Sequence, residues 1–118
     1  MDLDDIFFST FKNGEYSIPQ NLVAPMNSEL HESTPFIDPN GDYLLSVMLI
    51  DSKDCILISL FNQKRGWETP FDLTEKYPPF YGTCPRLSPD GKYILINRYK
   101  NREANVYWVS ANIITQID

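Results

Sequence analysis

Hydrophobic positions along this chain fall into short blocks, of strand length rather than helix length, separated by polar turns. Asp5 to Phe11 is nearly continuous in apolar residues, the pattern of a strand buried on both faces. Asn13-Gly14 follows as a hairpin turn, because both residues tolerate φ > 0. Tyr16 to Leu22 is a weaker strand that carries Pro19, so it is expected on a sheet edge, where a missing N–H costs least. Val23 to Ser33 reads as a loop. Thr34 to Asp38 is a short strand, and Pro39-Asn40-Gly41-Asp42 is a tight turn. Tyr43 to Ile50 and Cys55 to Phe61 are strong strands joined by a polar connection. Trp67 to Leu73 is a second proline-bearing edge strand, and Glu75 to Thr83 is a loop. Pro85 to Ser88, Tyr93 to Tyr99 and Asn105 to Ser110 repeat the short, strong, strong order, and Ala111 to Ile117 has room for one or two helical turns capped by Ser110 or Asn112.

The blocks repeat at an interval of about fifty residues. Phe36-Ile37-Asp38-Pro39-Asn40-Gly41-Asp42-Tyr43-Leu44-Leu45 returns as Arg86-Leu87-Ser88-Pro89-Asp90-Gly91-Lys92-Tyr93-Ile94-Leu95. Ile6-Phe7-Phe8-Ser9 corresponds to Ile56-Leu57-Ile58-Ser59 and to Val106-Tyr107-Trp108-Val109. Tyr16, Pro19 and Leu22 correspond to Trp67, Pro70 and Leu73 after one extra residue. Such a period, built from short strands and turns, predicts an all-β fold of β-propeller blades. Each blade is expected to have four antiparallel strands: a short inner one, two long ones and an edge. Residues 1–22 then form half a blade, 34–73 a complete one, 84–110 three strands of the last and 111–118 a tail. About two blades are present, which is open and not a closed propeller by itself, since propellers take about four or more. The chain is therefore expected to be a piece of a longer propeller or to self-associate. Phe7 or Phe8 at one end of the stack and Tyr107 or Trp108 at the other are expected to be exposed. Ile6, Phe8, Leu45, Val47, Ile56, Ile58, Ile94, Ile96 and Val106 are expected to be buried.

Ser88-Pro89-Asp90-Gly91-Lys92-Tyr93-Ile94, followed by Asn105-Val106-Tyr107-Trp108-Val109, resembles the TolB-type, WD-like β-propeller repeat. Asp38-Pro39-Asn40-Gly41-Asp42-Tyr43 is a looser copy, and Asp4-Asp5-Ile6-Phe7 is similar to the family's Asp-Ile-Tyr segment. Gly14 to Leu22, leading to Asn27-Ser28-Glu29-Leu30-His31-Glu32-Ser33-Thr34-Pro35, looks like a bacterial branch of that family. The resemblance implies a scaffold, because these propellers occur in translocation proteins, in the N-terminal domains of serine peptidases and in exported proteins. Members are often exported or periplasmic; the residues of this chain name no compartment.

Charge and composition narrow the partners. The 118 residues carry a net charge of −6, which argues against nucleic acid and anionic membrane surfaces, both of which select a basic footprint. Basic residues are scattered apart from a small group at Arg98, Lys100 and Arg102. No apolar run reaches membrane-spanning length, and Met1-Asp2-Leu3-Asp4-Asp5 is not a secretory signal. Cys55 and Cys84 read as small buried hydrophobes, with a disulfide as the alternative.

Candidate chemistry is sparse. His31 and Glu32 sit together in the loop before the complete blade, on the face around the central channel. Glu32 is either a ligand or metal-facing carboxylate or a partner for loop backbone. Asp38, Asn40 and Asp42 alternate as calcium ligands do, but a bidentate Glu at the twelfth position is lacking and the turn alone explains them. There is no Gly-x-Ser-x-Gly elbow and no phosphate-cradling glycine loop. Pro79-Phe80-Tyr81 is the best exposed aromatic group, an anchor for a peptide or glycan or a plug between blades. His31, Glu32, Phe80, Tyr81 and Arg86 are the candidate binding residues on channel-face loops. No catalytic residue, metal or cofactor is expected. The expected role is a non-catalytic scaffold for a protein or peptide partner. The alternatives are the accessory propeller of a serine peptidase and a glycan-binding module assembled from several chains.

Overall fold

The computed structural model describes residues 4–78 and 80–116; Pro79 and Ile117, named above, lie outside them. The described chain is strand-rich with little helix. In order it forms β1 (Phe7–Phe8), β2 (Phe11–Lys12), β3 (Glu15–Tyr16), β4 (Gln20–Asn21), β5 (Glu32–Ile37), β6 (Tyr43–Ile50), β7 (Lys53–Asn62), β8 (Gly66–Trp67), β9 (Phe71–Asp72), helix α1 (Leu73–Lys76), β10 (Thr83–Leu87), β11 (Tyr93–Lys100), β12 (Glu103–Ser110) and a 3-10 turn over Ala111–Gln116. All strand pairs are antiparallel.

Three layers stack, and the central one is the sheet β5-β6-β7 with β8 and β9 both on the outer edge of β7. Side chains alternate between its faces. Leu45, Val47, Ile56 and Ile58 point one way and join Leu73, Phe80, Ile94 and Ile96 in a buried cluster shared with the β10-β11-β12 sheet. Leu44 points the other way and packs with Ile6 and Met26, flanked by Leu22 and Trp67, beneath the N-terminal hairpins. The central sheet reads as long apolar runs because both its faces are covered.

The fifty-residue correspondence is visible in backbone geometry. In the first turn Gly41 N–H donates to Asp38 O at 2.9 Å and Asp38 N–H to Tyr43 O at 3.1 Å. In the second, Gly91 N–H donates to Ser88 O at 2.9 Å and Ser88 N–H to Tyr93 O at 2.8 Å. Gly41 and Gly91 have φ of 73° and 75°, a conformation in which a Cβ is strained. The β6–β7 and β11–β12 hairpins turn at Asp51-Ser52 (φ 49° and 65°) and Asn101-Arg102 (φ 54° and 65°), with the two positive φ values that characterise the tight hairpin turn. Pairing in β5 and β10 slips at Thr34 and Cys84, where φ is 44° and 51°. Phe11–Tyr16 and Phe61–Trp67 are cross-strand aromatic pairs with ring centroids 4.8 and 5.1 Å apart.

Several expectations are corrected. The described sheets hold two, two, five and three strands, not uniform sets of four. The edge strand expected over Trp67 to Leu73 is split into β8 and β9 around Pro70, which has no N–H to give. Between them the Ser59 hydroxyl bonds Glu68 O, so a side chain occupies the gap. The expected Asp5 to Phe11 strand is likewise broken, where Thr10 N–H donates to Ser17 Oγ at 3.0 Å. Leu73 begins α1 instead of ending a strand, because the Asp72 carboxylate accepts from Glu75 N–H at 2.9 Å and caps the helix. Val106 is 59% exposed, since no described layer covers the outward face of β12. Phe8 is 40% exposed, outside the Ile6–Met26–Leu44 cluster. The remaining seven residues expected in the core are buried. Phe7, Tyr107 and Trp108, expected to be exposed, are so. Ser110 caps the C-terminal turn by accepting from Asn112 N–H at 3.2 Å.

Candidate functional site

A cleft of about 810 Å³ opens where the central and last sheets part. One wall is the tip of the β6–β7 hairpin, with Lys53, Asp54 and Cys55, together with Asp72, Thr74 and Glu75 around α1. The other is the segment Tyr81–Thr83 and the end of β11, with Asn97, Arg98 and Tyr99.

Local chemistry fixes both walls. The Thr74 hydroxyl accepts from Ile56 N–H at 2.9 Å and donates to Phe80 O at 2.7 Å, which pins the segment after α1 onto β7. Gly82 has φ 138° and lies flat against β11: a Cβ there would collide with the Ile96 side chain and Asn97 O. Only glycine lets the backbone approach this closely. The Arg98 guanidinium carbon sits 3.8 Å from the Tyr81 ring centroid and 4.5 Å from that of Tyr107. Its Nε donates to Tyr81 O at 2.9 Å. Cation–π contact on two rings holds the arginine and orients Tyr81, which is 48% exposed.

Of the five candidate binding residues His31, Glu32, Phe80, Tyr81 and Arg86, Tyr81 alone lines this cleft. Phe80 is not a surface aromatic: it is 1% exposed in the core cluster, since the bond from Thr74 draws its backbone inward. Arg86 lies on β10, and its Nη1 donates to Cys84 O at 2.8 Å and to Asn97 Oδ1 at 3.2 Å. His31 Nδ1 accepts from Asp4 N–H at 3.3 Å. The Asp4 carboxylate lies 3.6 Å from the same nitrogen.

Glu32 is not in a loop. It is the first residue of β5 and is 1% exposed. Its Oε1 accepts from Ser28 N–H at 2.8 Å and from the Ser28 hydroxyl. Its Oε2 and Thr34 Oγ1 have no hydrogen-bond partner among the described residues. Through Oε1 Glu32 is tied to Ser28 in the loop before β5.

The two corresponding turns flank a smaller hollow of about 560 Å³ near Asp38, Asp42 and Asp90. The Asp38 carboxylate accepts from the backbone N–H groups of Asn40, Asp42 and Tyr43. Among the described residues no group of three His, Cys, Asp or Glu is placed to hold a metal ion.

Cys55 is buried and Cys84 half-buried, and both are free thiols. Burial pushes the Cys55 thiol above its ordinary value, with the Asp72 and Asp54 carboxylates adding to the shift and Lys53 opposing it. Asp54, Asp72, Glu75 and Arg98 were missed as site residues in the sequence. Arg98 belonged to the one small basic group noted there, but nothing local marked it as the partner of Tyr81.

Among the described residues no helix is long and apolar enough to cross a membrane. Compared with family models, curated proteins and solved structures, the chain matches none.

Proposed function

We propose that the chain is a non-catalytic segment of β-propeller type that serves as an interaction scaffold for a protein or peptide. In this reading each layer is a blade or part of one, and the sheet β5–β9 is a blade whose outer strand is interrupted at Pro70. Support for the repeat comes from the matched turns, bulges and hairpins fifty residues apart. The single observation that carries the interaction role is the cleft between two blades, with the Tyr81–Arg98–Tyr107 stack beside it. A concave site with mainly apolar walls and a few placed polar groups is the usual form of a binding site.

Selecting displayed peptides on the folded chain tests this. Selected peptides are expected to shift the amide resonances of Tyr81, Gly82 and Thr83, and to bind more weakly to Tyr81→Ala. Peptides that bind elsewhere, or indifferently to Tyr81→Ala, overturn the reading.

A further inference from the structure

Resting on that reading, we infer that the cleft accepts a cationic peptide segment, with a lysine or arginine side chain entering between the Asp54, Asp72 and Glu75 carboxylates and its aliphatic stem lying against Tyr81 and Tyr99. Those three acids face two bases of the lining, Lys53 and Arg98. With three carboxylates against two cations the lining is net negative, and the Arg98 guanidinium is held against the Tyr81 and Tyr107 rings with its Nε donating to Tyr81 O. Lys53 stands on the exposed hairpin tip. Asp54 and Glu75 are exposed, and Asp72 is half-buried with Oδ1 capping α1.

The negative field has an internal reporter. Cys55 lines the same cleft, and its thiol is raised by burial and then by Asp72, Asp54 and Asp51, against Lys53 alone. Burial penalises any charge, but the carboxylates that add to the shift act in the sense that favours a cation. The walls suit such an occupant: a long basic side chain buries its methylenes on apolar surface while its head meets charge, and Tyr99, 76% exposed, offers a ring for cation–π contact. The net charge of −6 adds attraction at longer range.

Three probe peptides separate the outcomes: acetyl-Ala-Arg-Tyr-Lys-Ala-amide, the same peptide with both basic residues replaced by Gln, and the same with both replaced by Glu. Amide shifts and titration calorimetry at low salt are the readouts. The basic peptide is expected to shift Asp54, Glu75, Tyr81 and Thr83. Its affinity is expected to fall roughly five- to tenfold in the Asp54→Asn/Glu75→Gln variant, and to hold or rise in Lys53→Gln. Unchanged melting of both variants shows that the fold is intact. If the Gln peptide binds the cleft as well as the basic one, or the double variant binds normally, the cationic preference is overturned while the peptide scaffold stands. If none of the three shifts a cleft amide, both fall.

Discussion

The Asp38 carboxylate and the Ser88 hydroxyl do the same work fifty positions apart. Asp38 Oδ1 accepts from Tyr43 N–H at 3.0 Å, and Ser88 Oγ accepts from Tyr93 N–H at 3.1 Å. The division of labour differs. Asp38 is buried and takes three backbone donors by itself. In the second turn Ser88 Oγ also donates to Asp90 Oδ1 at 2.6 Å, and Asp90 accepts from Lys92 N–H at 3.0 Å.

Removing each side chain should therefore cost unequal amounts. Asp38→Ala removes the acceptor of three backbone donors at once and is expected to cost about 2–3 kcal/mol; Ser88→Ala, in a more exposed turn, about 1 kcal/mol. Urea melts of the two variants give the comparison, and equal losses would mean that the turns are not energetically distinct.

The Asp90 carboxyl is held below its ordinary 3.8, first by the Ser88 hydroxyl and then by the Lys92 amide. A depressed folded value contributes stability that is present above the unfolded value and lost as pH falls through the folded one. Stability measured from pH 5 down to about 2 should fall less steeply in Asp90→Asn than in the parent. An unaltered acid limb would remove this linkage.

The core should respond by position rather than by hydrophobicity. Ile56→Ala and Ile94→Ala, both at fully buried sites, are expected to cost about 2–5 kcal/mol. Val106→Ala, 59% exposed, should cost less than about 0.5 kcal/mol. Chemical denaturation midpoints measure all three.

Glycine substitutions offer a sharper contrast. Gly14 has φ 80° and open space around it, so Gly14→Ala should cost about 1 kcal/mol from backbone strain alone. Gly82→Ala adds a collision with Ile96 and the Asn97 carbonyl, and should cost more than twice as much. It should also broaden the Tyr81 and Arg98 resonances, because the wall of the cleft must retreat.

How much of this was legible in the sequence follows from distance along the chain. The turns at Pro39 to Asp42 and Pro89 to Lys92 are local, since proline, glycine and a nearby oxygen suffice to specify them. The long strands of the central sheet were legible because burial on both faces leaves continuous apolar runs. Phe80 and Tyr81 were not separable: as neighbours in an aromatic stretch they look alike, and only Thr74 and Arg98 decide which turns inward. Helix α1 was hidden because Asp72 serves as the last strand residue and as the helix cap at once. The cleft brings Asp54, Glu75, Tyr81 and Arg98 together from distant parts of the chain, and no local pattern announces such a meeting.

The central sheet is a wall with a core on each side, and the cores are unequal. Eight buried residues hold it to the last sheet and three hold it to the N-terminal hairpins. Cooperative units detach in order of what anchors them. The hairpins around β1–β4 should thus behave as a separate foldon, opening while the other two layers stay closed. In hydrogen exchange the Ile6 and Leu22 amides should turn over well before those of Ile56 and Ile96. A single unfolding free energy would then describe the two larger layers only.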